Sequence, residues 1–238
     1  MKKLKLVAAE RGVLKNAEFQ ALTLFNLGER GTKRLSSFGA IYVFNDDILY
    51  RDSSLGMHPH SNVEIVTVMI EGEESHNDTL GIHETYQSGD VQLISAGTGI
   101  RHSGGNTSST ADARHLQIWI QPSQLDLKPK VSVLKSSAKD LQAEWIKLIV
   151  SPDGEKDSLM INQQAWIHQI SLPAGTVGEL IAQGSNSGII LYVIDGGGIQ
   201  VIDEILASGD TLFVTDWDKL KITATDTSVS LIAIETAL

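Results

Sequence analysis

Two histidines one residue apart, with a glutamate four positions later, are the most informative feature of this sequence. His58, His60 and Glu64 stand at even spacing. Because successive side chains of a β-strand alternate between faces, one strand through these positions would place all three on the same surface. A glycine-rich turn at 97–99 then leads to a third histidine, His102. Imidazoles with a carboxylate are typical ligands of a divalent transition ion, so these four residues form a candidate metal site.

The His-X-His pair alone is a weak signal, because such pairs often mark exposed or hydrogen-bonded structural histidines. The third histidine favours the metal site. The 238 residues contain no cysteine, which excludes disulfides, thiolate metal sites and a catalytic cysteine. Any metal must therefore bind histidine and carboxylate ligands.

The charge and hydropathy exclude further classes of function. The 19 basic and 29 acidic residues give a net charge of −10, which argues against direct binding of nucleic acid, since that needs a basic face. No apolar run approaches the length of a membrane span, and the first residues lack the apolar region of a secretory signal. We expect a soluble cytoplasmic protein that contacts neither nucleic acid nor membrane.

The elements that must position the histidines are predicted to be strands. Apolar residues come in runs of four to seven, such as 40–44 and 63–70, separated by Gly, Asn, Asp and Ser, which is typical of an all-β protein. The best helix candidate is 138–146, near the middle of the chain.

An internal repeat indicates two similar β units. The segment from Ser88 to Ile94 recurs as Ser208 to Val214, 120 residues later, and each copy follows an apolar strand that ends in acid-glycine. Coincidence is the alternative, because Ser-Gly-Asp is common in turns. The segment around 125–147 would connect the two units.

The histidine pattern resembles the two-part motif of cupins, and more narrowly the chain looks like a member of the pirin family. The cupin motif is matched by His58, His60, Glu64, Gly89, Gly97, His102 and Asn106. The pirin pieces are 10–12, 45–47, 58–60, 71–72, 76–78 with Gly81, 89–92, 95–103 and 116–122, in that order, with 151–154 continuing the match more loosely.

The resemblance implies a bicupin, which is two jelly-roll β-barrels in one chain with few short helices. We expect a metal-binding cupin domain over 1–124, a connection over 125–147, and over 148–238 a cupin domain without a metal site. Aligning the two halves places Ala182, Gly184, Gly188 and Ile222 opposite the four candidate ligands, and none of these can bind a metal.

The family includes quercetin 2,3-dioxygenases, which use a metal and O2 to open the central ring of flavonols. The resemblance implies an oxidoreductase of this kind, with a small hydroxylated aromatic substrate. Its cofactor would be one divalent transition ion, iron(II) first, with manganese, nickel, copper or zinc as alternatives. Other pirins are nuclear transcription cofactors, so the competing hypothesis is a non-catalytic bicupin that senses a ligand or a metal, or docks on an unknown protein.

One departure from the family pattern bears on the choice. Pirins usually carry, two positions after the third histidine, a glutamate that is the fourth ligand; here that position is Gly104. We hypothesise that Glu64, the usual fourth ligand of cupins, completes the site and serves in catalysis. The alternatives are a three-histidine site with extra water, or a weak metal site.

The remaining candidates have simpler explanations. His76 and His83 flank a turn and are expected at a hairpin or pocket rim, His115 on the face of its strand away from apolar Leu116, and His168 in a structural role. Arg101 should face away from the metal in a packing ion pair. The four tryptophans, Trp119, Trp145, Trp166 and Trp217, are expected in the core or between barrels.

Overall fold

The computed structural model describes residues 1–25, 35–136 and 145–238. They form two compact units built almost entirely from antiparallel strands. The N-terminal unit contains Ile161–Gln163 and the described residues of Arg11–Ser136; the C-terminal unit contains Met1–Glu10, residues 145–160 and Gln164–Leu238. Each unit therefore includes a short segment from the other half of the chain. The predicted domain boundaries, at residues 124 and 148, did not include these two exchanged segments, and they stay a prediction.

The N-terminal unit has one seven-stranded and one four-stranded sheet. The large sheet has the order β12-β9-β6-β11-β4-β3-β2 and the small sheet β5-β10-β7-β8. Their bounds are β2 Gly12–Lys15, β3 Phe19–Thr23, β4 Ile41–Leu49, β5 Ser53–His60, β6 Glu64–Glu71, β7 Glu73–Asp78, β8 His83–Gln87, β9 Val91–Ser95, β10 Ile100–Asn106, β11 Ala113–Ile120 and β12 Lys130–Leu134.

The C-terminal unit repeats this division into seven and four strands. Its sheets have the orders β1-β20-β17-β22-β15-β13-β14 and β16-β21-β18-β19. The bounds are β1 Lys2–Leu6, β13 Ile146–Ser151, β14 Leu159–Met160, β15 Ala165–Leu172, β16 Val177–Ile181, β17 Ser187–Asp195, β18 Ile199–Val201, β19 Glu204–Leu206, β20 Thr211–Thr215, β21 Lys219–Ala224 and β22 Val229–Ala237. The predicted bicupin fold is confirmed.

Helices are short in the described residues. Two 3-10 turns occur, at Ala8–Glu10 and Glu155–Asp157. Residues 138–144 of the predicted helix at 138–146 lie outside the described residues. At the end of that range, Ile146 begins strand β13. No helix in the described ranges is long and apolar enough to cross a membrane.

The sequence repeat corresponds to one turn built twice. Gly89 and Gly209 both adopt positive φ, at 89° and 82°, a backbone conformation that favours glycine. Each glycine donates its N–H to a carbonyl oxygen of an earlier strand, at 2.9 Å to Met69 of β6 in one unit and at 2.9 Å to Val193 of β17 in the other. The following aspartates, Asp90 and Asp210, accept the amide three residues earlier.

The interiors of the two units differ. In the C-terminal unit, aliphatic side chains from both sheets form a continuous core around Leu191, Leu212 and Trp217, and this core includes Ile222 at 0% exposure. Ile222 is the residue that the half-to-half alignment places opposite His102. The N-terminal unit also buries apolar side chains, with one cluster around Ile65 and Ile94, but its interior contains a cavity as well.

The exchanged N-terminal strand allows a test of the architecture. Leu6 in β1 is 2% exposed, whereas Leu4 of the same strand is 41% exposed. We expect Leu6→Ala to lower the free energy of unfolding by about 2–4 kcal/mol through the lost burial and the cavity. Leu4→Ala should cost less than about 1 kcal/mol. Denaturant unfolding of both variants measures the difference, and equal losses would contradict the pairing of β1 with β20.

Candidate metal centre

Three histidines converge on one point of the N-terminal barrel. His58 and His60 are alternate residues of β5, so they share a face, and His102 is the direct antiparallel partner of His58 on β10. One ring nitrogen from each lies within 4.8 Å of the others. The ring centroids are 4.4 Å apart for His58 and His102, and 5.0 Å for the other two pairs.

The protonation of these rings suits metal binding. Nδ1 of His58 lies 2.7 Å from the carbonyl oxygen of Gly56, and because a carbonyl only accepts, Nδ1 carries the proton and Nε2 keeps its lone pair. Burial, followed by the charges of His58, His60 and His76, lowers the pKa of His102 to about 3. Burial and then His58 also lower the pKa of His60. Neutral rings can ligate without first losing a proton.

An orphaned atom points to the same conclusion. Nε2 of His102 is buried and has no hydrogen-bond partner among the residues that the structure describes. A buried polar atom without a partner is costly unless a ligand satisfies it. The three residues thus fit a divalent transition ion, which favours imidazole nitrogen and leaves positions open when only three protein ligands are present.

Glu64 does not join the histidines. β5 ends at His60, the chain turns through Asn62 at a φ of 51°, and Glu64 begins β6 in the other sheet. The expectation that one strand carries residues 58, 60 and 64 is therefore wrong, and the even spacing does not put the carboxylate on the histidine face.

The carboxylate of Glu64 has other partners. It accepts hydrogen bonds from Ser95 Oγ at 2.7 Å and Asn162 Nδ2 at 3.1 Å and is 2% exposed. Burial raises the pKa of Glu64, an effect that these hydrogen bonds partly offset. Glu64 lies outside the group of converging ligand atoms, and its contacts fit a structural role that ties the segment Ile161–Gln163 into the N-terminal unit.

Gly104 occupies a position where the backbone leaves no room for a side chain. Its strand partner on β7 is His76, and a Cβ added to Gly104 would overlap the carbonyl oxygen of Ser75. The pairing of β10 with β5 also shifts register between His102 and Gly104. At position 104, β10 and β7 are so close that a glutamate side chain would fit only if the backbone moved. The absence of the fourth ligand therefore coincides with a close contact between two strands.

His76 is the fourth imidazole in this region. It is 4% exposed, its ring centroid lies 5.3 Å from that of His102, and its Nε2 is 2.9 Å from Asp78 Oδ2. Burial alone would raise the pKa of Asp78, but hydrogen bonds from His76 and from the amides of Ile82 and Leu80 lower it overall. His76 lies in the pocket wall, and its nitrogens are not part of the converging group.

The histidines open into a cavity of about 360 Å³ inside the N-terminal unit, a size that suits a small organic ligand. Apolar and aromatic side chains form much of its wall, among them Phe19, Leu55, Ile65, Tyr86 and Trp119. The ring of Trp119 meets that of His60 edge-on at 5.0 Å. Trp119, expected in the core or between barrels, is therefore a wall of the pocket.

A buried charged cluster forms another part of the wall. Nδ1 of His115 lies 2.6 Å from Glu74 Oε1 and its Nε2 lies 3.3 Å from Asp47 Oδ2. Burial acts to lower the pKa of His115, but the two carboxylates together raise it to about 10. Burial raises the pKa of Asp47, partly offset by His115. We call these three residues the Asp47–His115–Glu74 cluster.

Sequence reasoning missed this cluster. The alternation along β11 did place His115 opposite Leu116, as the structure has it, but the pocket lies on the His115 side. Spacing could have shown only that His115, Gln117 and Trp119 share a face. Glu74 and Asp47 come from distant strands and gave no local signal.

The other predicted residues have contacts of their own outside the converging group. His83 is exposed, with Nδ1 2.7 Å from Asn77 Oδ1. His168 belongs to the C-terminal unit, where burial and then Lys156 lower its pKa to about 4. Arg101 donates to the backbone carbonyl of Met57 at 3.2 Å rather than to a carboxylate.

Comparison with known proteins agrees with the geometry. The family model described as Pirin matches residues 7–120, and the one described as Quercetinase C-terminal cupin domain matches residues 148–235. A quercetin 2,3-dioxygenase of Escherichia coli K12 is 33% identical over 165 residues, which cover 69% of this chain and 70% of that protein. A pirin-like protein of Caulobacter vibrioides is 29% identical over 202 residues, covering 84% and 85%.

A solved structure shows the same fold. The bacterial pirin YhhW of Escherichia coli, crystallised in complex with nickel(II), superposes with a TM-score of 0.91 at 26% identity, and the match covers 99% of each chain.

The close contact at Gly104 predicts a steric cost for any side chain. We expect Gly104→Ala to lower the free energy of unfolding by about 1–3 kcal/mol, because the new Cβ must displace the backbone of β7. Gly56 in β5 of the same sheet has nothing within 4 Å of an added Cβ, so Gly56→Ala is the matched control, with a change within about 0.5 kcal/mol. Equal effects in urea unfolding would contradict the contact.

The raised pKa of His115 predicts a pH dependence of stability. A folded-state pKa of about 10 against an ordinary 6.5 stabilises the fold fully below pH 6.5, and this stabilisation is lost as the pH rises through 10. The stability difference between wild type and His115→Gln should therefore shrink between pH 7 and 10. Thermal unfolding across this range measures it, with His83→Gln as the exposed control. A difference independent of pH would refute the ionised cluster.

Proposed function

This chain belongs to the pirin family, and from that premise we propose that it is a metal-dependent dioxygenase that opens a flavonol-like aromatic substrate with O2. The observation that carries the proposal is the convergence of His58, His60 and His102 beside a largely apolar cavity. The relative named as a quercetin 2,3-dioxygenase and the nickel(II) complex of a bacterial pirin support it.

His58, His60 and His102 would hold the metal. The lowered pKa values of His60 and His102, the Nδ1 contact of His58 with the Gly56 carbonyl and the buried Nε2 of His102 suit metal binding, and imidazole nitrogen favours a divalent transition ion over calcium or magnesium. We propose iron(II), with nickel(II) as the first alternative because a bacterial pirin binds it. A bound metal supplies a Lewis acid for the anionic substrate hydroxyl and a template that brings O2 to the substrate.

The remaining pocket residues orient the substrate and exclude water. The edge of Trp119 lies against His60, and the aliphatic side chains of Leu55 and Ile65 complete an apolar wall. A flat aromatic ring buries well against such a surface, and its burial excludes water from the reacting centre. The pocket therefore selects for an aromatic substrate by shape and polarity.

A second candidate function is favoured by Gly104. Without a carboxylate at this position, the metal site has one ligand fewer than is usual in pirins, and the strand contact with Ser75 keeps it so. A bicupin with such a site could instead be a ligand-sensing or metal-sensing protein without turnover. Metal binding and flavonol binding without oxygen consumption would identify this second function.

Oxygen consumption by metal-loaded protein tests the proposal. We expect wild type loaded with iron(II) or nickel(II) to consume O2 when quercetin is added. His58→Ala should lower both the bound metal and the oxygen uptake by more than about 100-fold, because the site loses a direct ligand. An oxygen electrode and elemental analysis measure the two quantities.

Glu64→Gln is the variant to compare with His58→Ala. Because Glu64 lies outside the converging group, this variant should keep its metal even if its stability falls. Loss of the metal in Glu64→Gln would instead restore Glu64 as a ligand, and full metal without oxygen uptake in wild type would refute the dioxygenase.

A further inference from the structure

We propose that the Asp47–His115–Glu74 cluster is a recognition subsite for a second hydroxyl group of the substrate, with Asp47 Oδ1 as the hydrogen-bond acceptor. The inference rests on the proposed function insofar as the ligand is a hydroxylated aromatic compound. It adds that the ligand carries at least two hydroxyls, one for the metal and one for Asp47.

The fold assembles the cluster from three strands. Asp47 on β4 and His115 on β11 are direct antiparallel partners in the large sheet, so their side chains share a face. Glu74 reaches His115 from β7 of the small sheet. All three line the same cavity as the metal-binding histidines.

The cluster has more acceptors than donors. Nδ1 of His115 hydrogen-bonds Glu74, and its Nε2 lies 3.3 Å from Asp47 Oδ2, so its two ring nitrogens face four carboxylate oxygens. Oδ2 of Asp47 faces His115, whereas Oδ1 is buried without a hydrogen-bond partner among the described residues. Asp47 is only 7% exposed, so its contact with bulk water is small.

A second acceptor lies beside the first. Asn45 precedes Asp47 by two residues on β4, so it points to the same face, and its Oδ1 is also buried with no partner in the part of the chain that the structure describes. Both residues line the cavity. Two residues of the wall therefore each have a buried oxygen acceptor without a partner in the described part of the chain.

A purely structural salt bridge explains the cluster less well. One carboxylate suffices to neutralise an imidazolium and to join the two sheets, and Glu74 already does so at 2.6 Å. The second carboxylate adds a buried charge with an unsatisfied oxygen, which costs stability unless something else supplies a donor. A ligand hydroxyl is a donor of the right kind, and the contact would be charge-assisted.

Such a subsite would discriminate by hydroxylation. A pocket built to hydrogen-bond a substrate O–H rejects analogues that lack it, because its buried acceptor then stays unpaired. The apolar walls accept the aromatic ring whether or not it is hydroxylated, so the metal and Asp47 would set the preference.

Binding of two flavonols that share the metal-binding hydroxyl tests the subsite. Quercetin and 3-hydroxyflavone both carry the 3-hydroxyl, but quercetin alone has further hydroxyls. We expect zinc(II)-loaded wild type, under argon so that no turnover occurs, to bind quercetin at least about 10-fold more tightly. Asp47→Asn should lower this ratio at least about threefold, because the neutral amide oxygen is a weaker acceptor than the carboxylate, while the affinity for 3-hydroxyflavone changes less than about twofold. Quenching of tryptophan fluorescence measures both affinities.

Glu73→Gln is the matched control. Glu73 is the exposed neighbour of Glu74 on β7, so this substitution removes one negative charge outside the pocket. Its ratio should equal that of wild type. A ligand-side control needs no variant: quercetin methylated at every hydroxyl except the 3-hydroxyl should bind wild type no more tightly than 3-hydroxyflavone does.

The outcomes separate this inference from the proposed function. Equal binding of the two flavonols to wild type, or a ratio that Asp47→Asn leaves unchanged, would overturn the subsite whatever the oxygen electrode shows. A ratio that depends on Asp47 in a protein that consumes no oxygen would support the subsite and count against the dioxygenase alone.

Discussion

The register between β5 and β10 is the constraint on which the site depends. It makes His58 and His102 direct partners, and the alternation along β5 then adds His60 on the same face. A slip by one residue would turn an imidazole to the opposite side of the sheet, because side chains alternate with a period of two. The close approach of β10 to β7 at Gly104 belongs to the same arrangement. The convergence of the three histidines and the lack of room for a side chain at position 104 therefore belong to one local strand geometry.

The two units show how one fold serves two purposes. Both contain the same glycine turn and the same division into large and small sheets. The C-terminal unit fills its interior with aliphatic side chains, with Ile222 in the core, which gains stability from apolar burial. The N-terminal unit instead retains a cavity, and polar atoms of its lining residues such as Asp47 Oδ1 and His102 Nε2 have no partner among the described residues. Unsatisfied groups of this kind lower stability unless a ligand pairs with them.

Polar groups are distributed around the cavity so that each could meet a different part of a ligand. The three converging histidines suit a cation, the aromatic and aliphatic walls suit a ring, and the charged cluster around His115 offers an acceptor. These features come from strands of both sheets. The barrel thus combines groups that lie far apart in the sequence, which a single motif could not do.

Alternation, turn residues and motif spacing are local properties, so the sequence predicted the fold class, the family and the convergence of the three histidines. It misplaced Glu64, because the spacing of four residues does not reveal that a turn at Asn62 carries the chain into another sheet. It also missed the cluster of Asp47, Glu74 and His115, whose members meet only through strand pairing and sheet packing. Local spacing reports which side of a strand a residue faces. Only the tertiary structure decides what lies on that side, because contacts between distant strands arise when the barrel closes.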